Sequence, residues 1–243
     1  MQEYRSLLQH VLEASDMVTC VSQNLKERTL ELFQLQKEIA VIPNFYEPRP
    51  VTDTRENVRS SLGIGDTPLA LHASNLRTIK RIDLLLDATA AALKVASFKL
   101  LILAGADPSK VHQLIGERNL QDHVIVADDV YDIDNFYAAA DFTVYSSEYE
   151  SFCLGILEGM RYGLPSASFN VGGISEVVAE NSTGFLAPFG DTETLGQSIA
   201  RLADDSQLRA EMGIAAKERA ISTFSADTVV QSYIQAYEQV MKH

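Results

Sequence analysis

The sequence has no tryptophan, only two cysteines (Cys20 and Cys153), and a shortage of positive charge. Its 20 Lys and Arg stand against 33 Asp and Glu, a formal net charge of −13. Nucleic acid and anionic membrane surfaces call for clustered Lys and Arg, so this balance argues against both as partners. Two cysteines so far apart in sequence offer no disulfide framework and fit a reduced, cytoplasmic setting. No apolar run approaches the ~20 residues of a membrane span. The opening "MQEYRSLLQHVLEASD" carries acids at helical spacing, unlike a signal peptide. The histidines at 10, 72, 112, 123 and 243 show no metal-ligand spacing, so no metal site is expected. Neither G-x-G-x-x-G nor G-x-x-x-x-G-K-[ST] occurs, which weakens dinucleotide and P-loop readings. Ser146 and Ser147 lack the flanking glycines of a nucleophile elbow.

What is present is a regular alternation. Hydrophobic residues make up 46% of the 243, enough to bury a substantial core. Short β-branched or apolar runs read as buried parallel strands: "LALHAS" (69–74), "KLLILAG" (99–105), "HVIVA" (123–127), "DFTVYS" (141–146), "PSASF" (165–169) and "GFLAP" (184–188). Between them lie amphipathic stretches at 81–94, 109–119 and 132–140, and three helical stretches close the chain. This rhythm predicts an α/β fold, a doubly wound, Rossmann-like parallel sheet with helices on both faces. Residues 46–225 are expected to form that domain, and 226–243 a last helix that Ser225 or Asp227 could cap. Residues 1–45 read as helix, strand "MVTCVS", helix and strand "EIAVIP", and "PNFYEPRPVTD" (43–53) as a linker. Two buried-type strands cannot cover themselves. They either extend the main sheet at one edge or form the tail end of a preceding domain; the second reading is favoured.

The stretch "YESFCLGILEGMRYGLP" (149–165) carries Glu150 and Glu158. The apolar face of "FCLGILEGMRYG" predicts a helix beginning near Ser151 or Phe152. If the whole stretch is helical, the two carboxylates stand ~12 Å apart along the axis. Pairs that share one glycosidic bond stand ~5–9.5 Å apart. The spacing therefore suits two ends of one extended ligand. A helix start at a sheet's carboxyl edge offers free N–H groups to a phosphate, so a nucleoside diphosphate sugar fits. The plainer alternative is a capping acid and a solvated helix residue. "SNLRTIKR" brings Asn75, Arg77, Lys80 and Arg81 into one basic loop, which suits a phosphate or is simply solvated charge. Gly172 and Gly173 let backbone approach a ligand or start a helix, or make a plain turn.

The segment "SEYESFCLGILEGMRYGLPSASFNVGGISEVV", with "NSTGFLAPFGD" after it, resembles the signature of the retaining family 4 glycosyltransferases, whose two-Rossmann-domain fold is called GT-B. "VSQNLKERTLELF", "EIAVIPNF" and "HASNLRTIKRIDLL" are similar, more narrowly, to members that transfer N-acetylglucosamine from UDP-GlcNAc to L-malate in bacillithiol biosynthesis. There the Gly-Arg usual in the phosphate loop is replaced by Ser-Asn, as at Ser74 and Asn75. The resemblance implies that Lys80 holds the donor diphosphate with Arg77 and Asn75 beside it. It implies that Glu158 binds the ribose hydroxyls and that Glu150 is the catalytic glutamate facing the donor sugar. Ser151, Phe152, Cys153 and Leu154 would supply backbone N–H groups; Cys153 departs from the usual glycine. It implies no cofactor or metal, a UDP-sugar donor, a small hydroxy-acid acceptor such as L-malate, and transfer with retention. It further implies that residues 1–45 match only the end of an acceptor domain and that the last helix crosses back onto it, so the chain alone is expected to lack turnover and to self-associate as a homo-oligomer. The alternatives are a nucleotide-sugar-binding module without turnover of its own, or a family 4 enzyme with another hexose donor and acceptor.

Overall fold

A computed structural model of the chain describes residues 2–242. It opens with helix α1 (Gln2–Ala14), strand β1 (Val18–Cys20), α2 (Gln23–Phe33) and β2 (Ile39–Val41). β1 and β2 pair in parallel with each other, Val18 opposite Ile39, and with no strand of the larger sheet. The edge-strand alternative is thereby excluded. Ile39, Val18, Cys20 and Leu35 bury a small core of their own.

After the connection come α3 (Arg55–Ser61), β3 (Leu69–Ser74), α4 (Ile82–Ala92), β4 (Lys99–Ala104), α5 (Ser109–Glu117), β5 (Val124–Asp128), α6 (Ile133–Ala139) and β6 (Phe142–Tyr145). Then follow α7 (Leu154–Arg161), β7 (Ser166–Phe169), α8 (Ile174–Val177), β8 (Gly184–Ala187), α9 (Thr192–Asp204), α10 (Ser206–Phe224) and α11 (Ala226–Val240). Strands β3 to β8 form one parallel sheet in the order β5-β4-β3-β6-β7-β8. Both faces are covered, so β3, β4, β6 and β7 are buried nearly throughout; β3 and β4 read as mostly apolar runs, while β6 and β7 bury Thr143, Ser166 and Ser168 as well. On one face Leu85, Leu86 and Ala88 of α4 pack with Leu195, Ile199 and Leu202 of α9. Elsewhere Ile156, Leu157 and Met160 of α7 pack with Ala216, Ala220 and Phe224 of α10.

α3, unread in the sequence, is capped by Thr54, whose side chain accepts from the Asn57 N–H. Its Arg59, 6% exposed, is bonded to the carbonyls of Gly65, Thr67 and Ala139 and to Asp141. Ser225, not Asp227, caps α11 by accepting from the Thr228 N–H. On α11, Val229 is buried, whereas Tyr233, Ala236 and Val240 line a groove with Met17 and Thr19 beside β1. The adjacent stripe Val230, Ile234, Tyr237 and Met241 is exposed. Among the described residues no helix is long and apolar enough to cross a membrane.

Candidate functional site

The strand order reverses between β3 and β6: one crossover series runs outward from β3 to β5, the other from β6 to β8. Loops leaving the carboxyl ends of two such strands diverge and leave a crevice. Here the crevice is a cleft of about 470 Å³ whose walls include Ser74 at the end of β3, Asn75 and Lys80 after it, and Glu150 to Gly155 with Glu158 after β6. Asn44, from the connecting segment, closes one side.

The two loops are bound together. Ser146, fully buried, places its hydroxyl 2.9 Å from the carbonyls of Lys80 and Arg81, and the Glu148 N–H donates to the Ile79 carbonyl at 2.8 Å. A short 3-10 turn (Thr78–Lys80) ends at Arg81, whose φ of 48° is left-handed. Lys80 is thereby aimed across the cleft: its Nζ donates to Glu150 Oε1 at 2.6 Å, and Ser147 Oγ donates to the same oxygen at 2.7 Å. Ser146 and Ser147 thus serve as scaffold for the ion pair.

Behind this loop His72 is completely buried, with Nδ1 2.9 Å from the Val144 carbonyl and Nε2 2.9 Å from Ser74 Oγ. A carbonyl only accepts, so Nδ1 carries the proton and Nε2 accepts from Ser74. Burial lowers the imidazole pKa to about 4; the Lys80 charge works in the same sense and the Val144 bond against it. Ser74 is thus fixed by a neutral ring, and its Oγ also accepts from the Leu76 N–H at 3.3 Å.

Helix α7 begins at Leu154, later than Ser151 or Phe152, so the stretch from Glu150 to Cys153 is a loop and the ~12 Å estimate for continuous helix does not apply. Cys153 precedes the helix with φ 77° and ψ 79°, a backbone shape that suits glycine. Its side chain is 6% exposed, and burial, with the Glu150 charge, pushes the thiol pKa well up, so it stays protonated. Phe152 points its ring inward, edge-on to Phe224 at 5.4 Å, so it offers the cleft backbone and not side chain. The first N–H groups of a helix have no intrahelical carbonyl to bond; the Ile156 N–H turns to the Cys153 carbonyl at 3.2 Å, and Leu154 and Gly155 at the start of α7 line the cleft.

Gly172 explains how this loop is held. A Cβ there would lie 1.9 Å from the Glu150 carbonyl oxygen, and the Gly173 N–H donates to that oxygen at 2.8 Å. The glycine pair therefore supports the Glu150 backbone, and Gly173 immediately precedes α8.

Glu158 lies one turn into α7. Its Oε2 accepts from the Tyr137 hydroxyl at 2.7 Å. Burial raises its pKa; the Tyr137 bond opposes the rise and the charge of Asp134 adds to it. Asp134 in turn accepts from Tyr46 and Tyr162 at 2.6 Å each and from the Arg49 N–H at 3.0 Å, pinning the connecting segment to α6.

The cleft gathers Asn75, Lys80, Glu150, Ser151, Phe152, Cys153, Leu154 and Glu158. Arg77 does not join them; it lines a neighbouring groove with Asp83, Asp107 and Lys110. The sequence reading also missed Asn44, hidden in a proline-rich linker, and Tyr137, hidden in an amphipathic helix. Among the described residues no group of His, Cys, Asp or Glu is arranged to hold a metal ion.

Residues 54–219 match the family model described as Glycosyl transferases group 1. Over 98% of its length the chain is 31% identical to N-acetyl-alpha-D-glucosaminyl L-malate synthase of Bacillus anthracis, covering 63% of that protein. It is 30% identical over 203 residues to D-inositol 3-phosphate glycosyltransferase of Saccharomonospora viridis, covering 47% of it. The chain thus spans less than two thirds of the length of these curated relatives. Among solved structures, sucrose-phosphate synthase of Thermosynechococcus elongatus superposes with a TM-score of 0.87 at 25% identity, covering all of this chain and 62% of that one. HepE of Anabaena, solved with UDP and glucose, shares the fold at a TM-score of 0.89 and 22% identity, covering 98% of this chain and 68% of that one. The chain belongs to the group 1 glycosyl transferases.

Proposed function

We propose that the chain is the donor-binding half of a retaining glycosyltransferase that moves N-acetylglucosamine from UDP-GlcNAc to L-malate. The observation that carries this reading is the cleft at the strand-order reversal, where Lys80 and Glu150 meet at 2.6 Å beside the start of α7, with Glu158 on the same wall. On this reading Lys80 and the α7 N–H groups hold the diphosphate, so its charge is met without a metal. Glu158 accepts from the ribose hydroxyls. Glu150, fixed by Lys80 and Ser147, faces the donor sugar. The bond from the anomeric carbon to the diphosphate oxygen breaks while the acceptor oxygen bonds on the same face. The acceptor proton passes to the departing phosphate. Residues 1–45 and α11 form, on this reading, the part that adjoins an acceptor domain.

The donor and acceptor rest on the similarity to the malate-linked relative. A relative named for inositol phosphate is 30% identical over a shorter stretch, 77% of this chain, so the second reading keeps the chemistry and changes the sugar or acceptor. Calorimetric titration with UDP, UDP-GlcNAc, UDP-glucose and GDP-mannose separates the two. Tightest binding of UDP-GlcNAc supports the first. Preference for another donor moves the chain to the second, and no binding of any of them refutes the donor-site reading. For the acceptor, a malate-dependent UDP-release assay on the protein with its acceptor domain is the matching test.

A further inference from the structure

Tyr137 makes no part of the cleft wall, yet its hydroxyl ends directly behind it. The residue is 0% exposed, deep between α6 and the sheet. Its oxygen lies 2.7 Å from Glu158 Oε2, 3.3 Å from the Gly155 carbonyl and 3.4 Å from the Tyr145 hydroxyl. A phenol has one proton to give, and it goes to the shortest and charged partner, the carboxylate. Tyr145, 2% exposed, then has Tyr137's oxygen as an acceptor within reach. A side chain at Gly155 would stand 2.2 Å from the Tyr145 hydroxyl, so the glycine makes room for this second phenol. Tyr137 is itself braced by stacking on Tyr162, ring centres 5.9 Å apart and 8° from parallel.

A carboxylate on a helix normally samples rotamers and spreads its oxygens over several partners. Glu158 has Oε2 tied inward, and Tyr137 is its only hydrogen-bond partner among the described residues. We infer that Tyr137 is the positioning residue of the donor site: its hydroxyl fixes the Glu158 rotamer, so that the other carboxylate oxygen is presented for recognition of a vicinal diol on the ligand. The inference rests on the proposed role of Glu158 toward ribose hydroxyls. It extends that role to a residue that touches no ligand.

The test is selectivity, which a loss of packing would not move. UDP and 2′,3′-dideoxyuridine diphosphate share base and diphosphate and differ only in the diol. Wild-type protein should prefer UDP, and Tyr137→Phe, which keeps the ring and its stacking, should reduce that preference roughly 5- to 10-fold. In a Glu158→Ala background the same substitution should change the preference no further, the signature of two residues acting as one. A second measurement needs no Tyr137 variant. The carbon-13 resonance of the Tyr137 Cζ in labelled protein should shift on Glu158→Ala and stay in place on Glu150→Gln. Full retention of the preference in Tyr137→Phe, or an unmoved Cζ resonance in Glu158→Ala, overturns the positioning role. A wild-type protein that binds UDP with no preference over the dideoxy compound overturns the diol reading of Glu158 itself.

Discussion

Replacing Lys80 by Ala is the sharpest perturbation of this cleft, because the lysine does two jobs. Toward a bound diphosphate it offers a charge-assisted hydrogen bond, worth ~1.5–3 kcal/mol, or roughly 10- to 150-fold in affinity. Toward the protein it neutralises Glu150 at 2.6 Å, with side chains only 18% and 11% exposed. Without it Glu150 keeps one neutral donor, Ser147, and turns an uncompensated negative charge toward an anionic ligand. Unit charges ~4 Å apart interact by ~4 kcal/mol at an effective dielectric of ~20, and partial exposure reduces this further. The combined loss for UDP is expected near the upper end, about 100-fold. Uridine, without the diphosphate, should lose less than about 3-fold. The double variant Lys80→Ala/Glu150→Gln removes the stranded charge and should regain about tenfold for UDP. Arg77→Ala, in the neighbouring groove, should cost less than about 3-fold. Isothermal titration of all four proteins with both ligands is the assay. Equal losses for UDP and uridine in Lys80→Ala would show that the lysine acts through folding, and the reasoning would fail.

Other outcomes follow from the same geometry. Glu158→Ala should weaken UDP roughly 10- to 150-fold, and unchanged affinity would sink the ribose assignment. Glu158→Gln should melt higher than wild type at pH 7. Burial raises this carboxyl's folded pKa, so the native state binds more protons than the unfolded state, and stability falls as pH rises from the unfolded to the folded value. The gain should vanish in melts run below the unfolded value; an equal gain there would point to packing instead. Gly65→Ala, at φ 52° with open space around it, should cost only ~1–2 kcal/mol. Gly172→Ala should cost more and weaken UDP as well, since its Cβ meets the Glu150 carbonyl at 1.9 Å; similar denaturation midpoints for the two variants would contradict this. Self-association seen by light scattering should fall on Ile234→Glu or Tyr237→Lys, because these side chains form the exposed stripe of α11. Unchanged scattering in both would place the contact elsewhere.

Much of this protein was legible without coordinates. Parallel strands buried on both faces tend to be apolar runs, and β3 falls on "LALHAS" to the residue. Glu150 and Glu158 stand out as two carboxylates in one motif and Lys80 as part of a basic loop in an acidic chain, and the family resemblance implies their roles. Tertiary structure alone decided the rest, and the cause is distance along the chain. The Lys80–Glu150 pair spans 70 residues, and the Tyr137–Glu158 bond spans 21. No local period carries such a pairing, so Tyr137 read as one more apolar position of an amphipathic helix. Asn44 and Arg77 make the same point from opposite sides. The linker asparagine is held at the cleft from both sides: the Ile42 N–H bonds the Cys20 carbonyl, and Asp134 pins the segment beyond it through the Tyr46 hydroxyl and the Arg49 amide. The arginine of the basic loop, which follows a left-handed turn at Leu76 (φ 54°), lines the neighbouring groove and not the cleft. Sequence determined which elements form and which residues carry charge; only the packing of distant segments decided which of those charges meet.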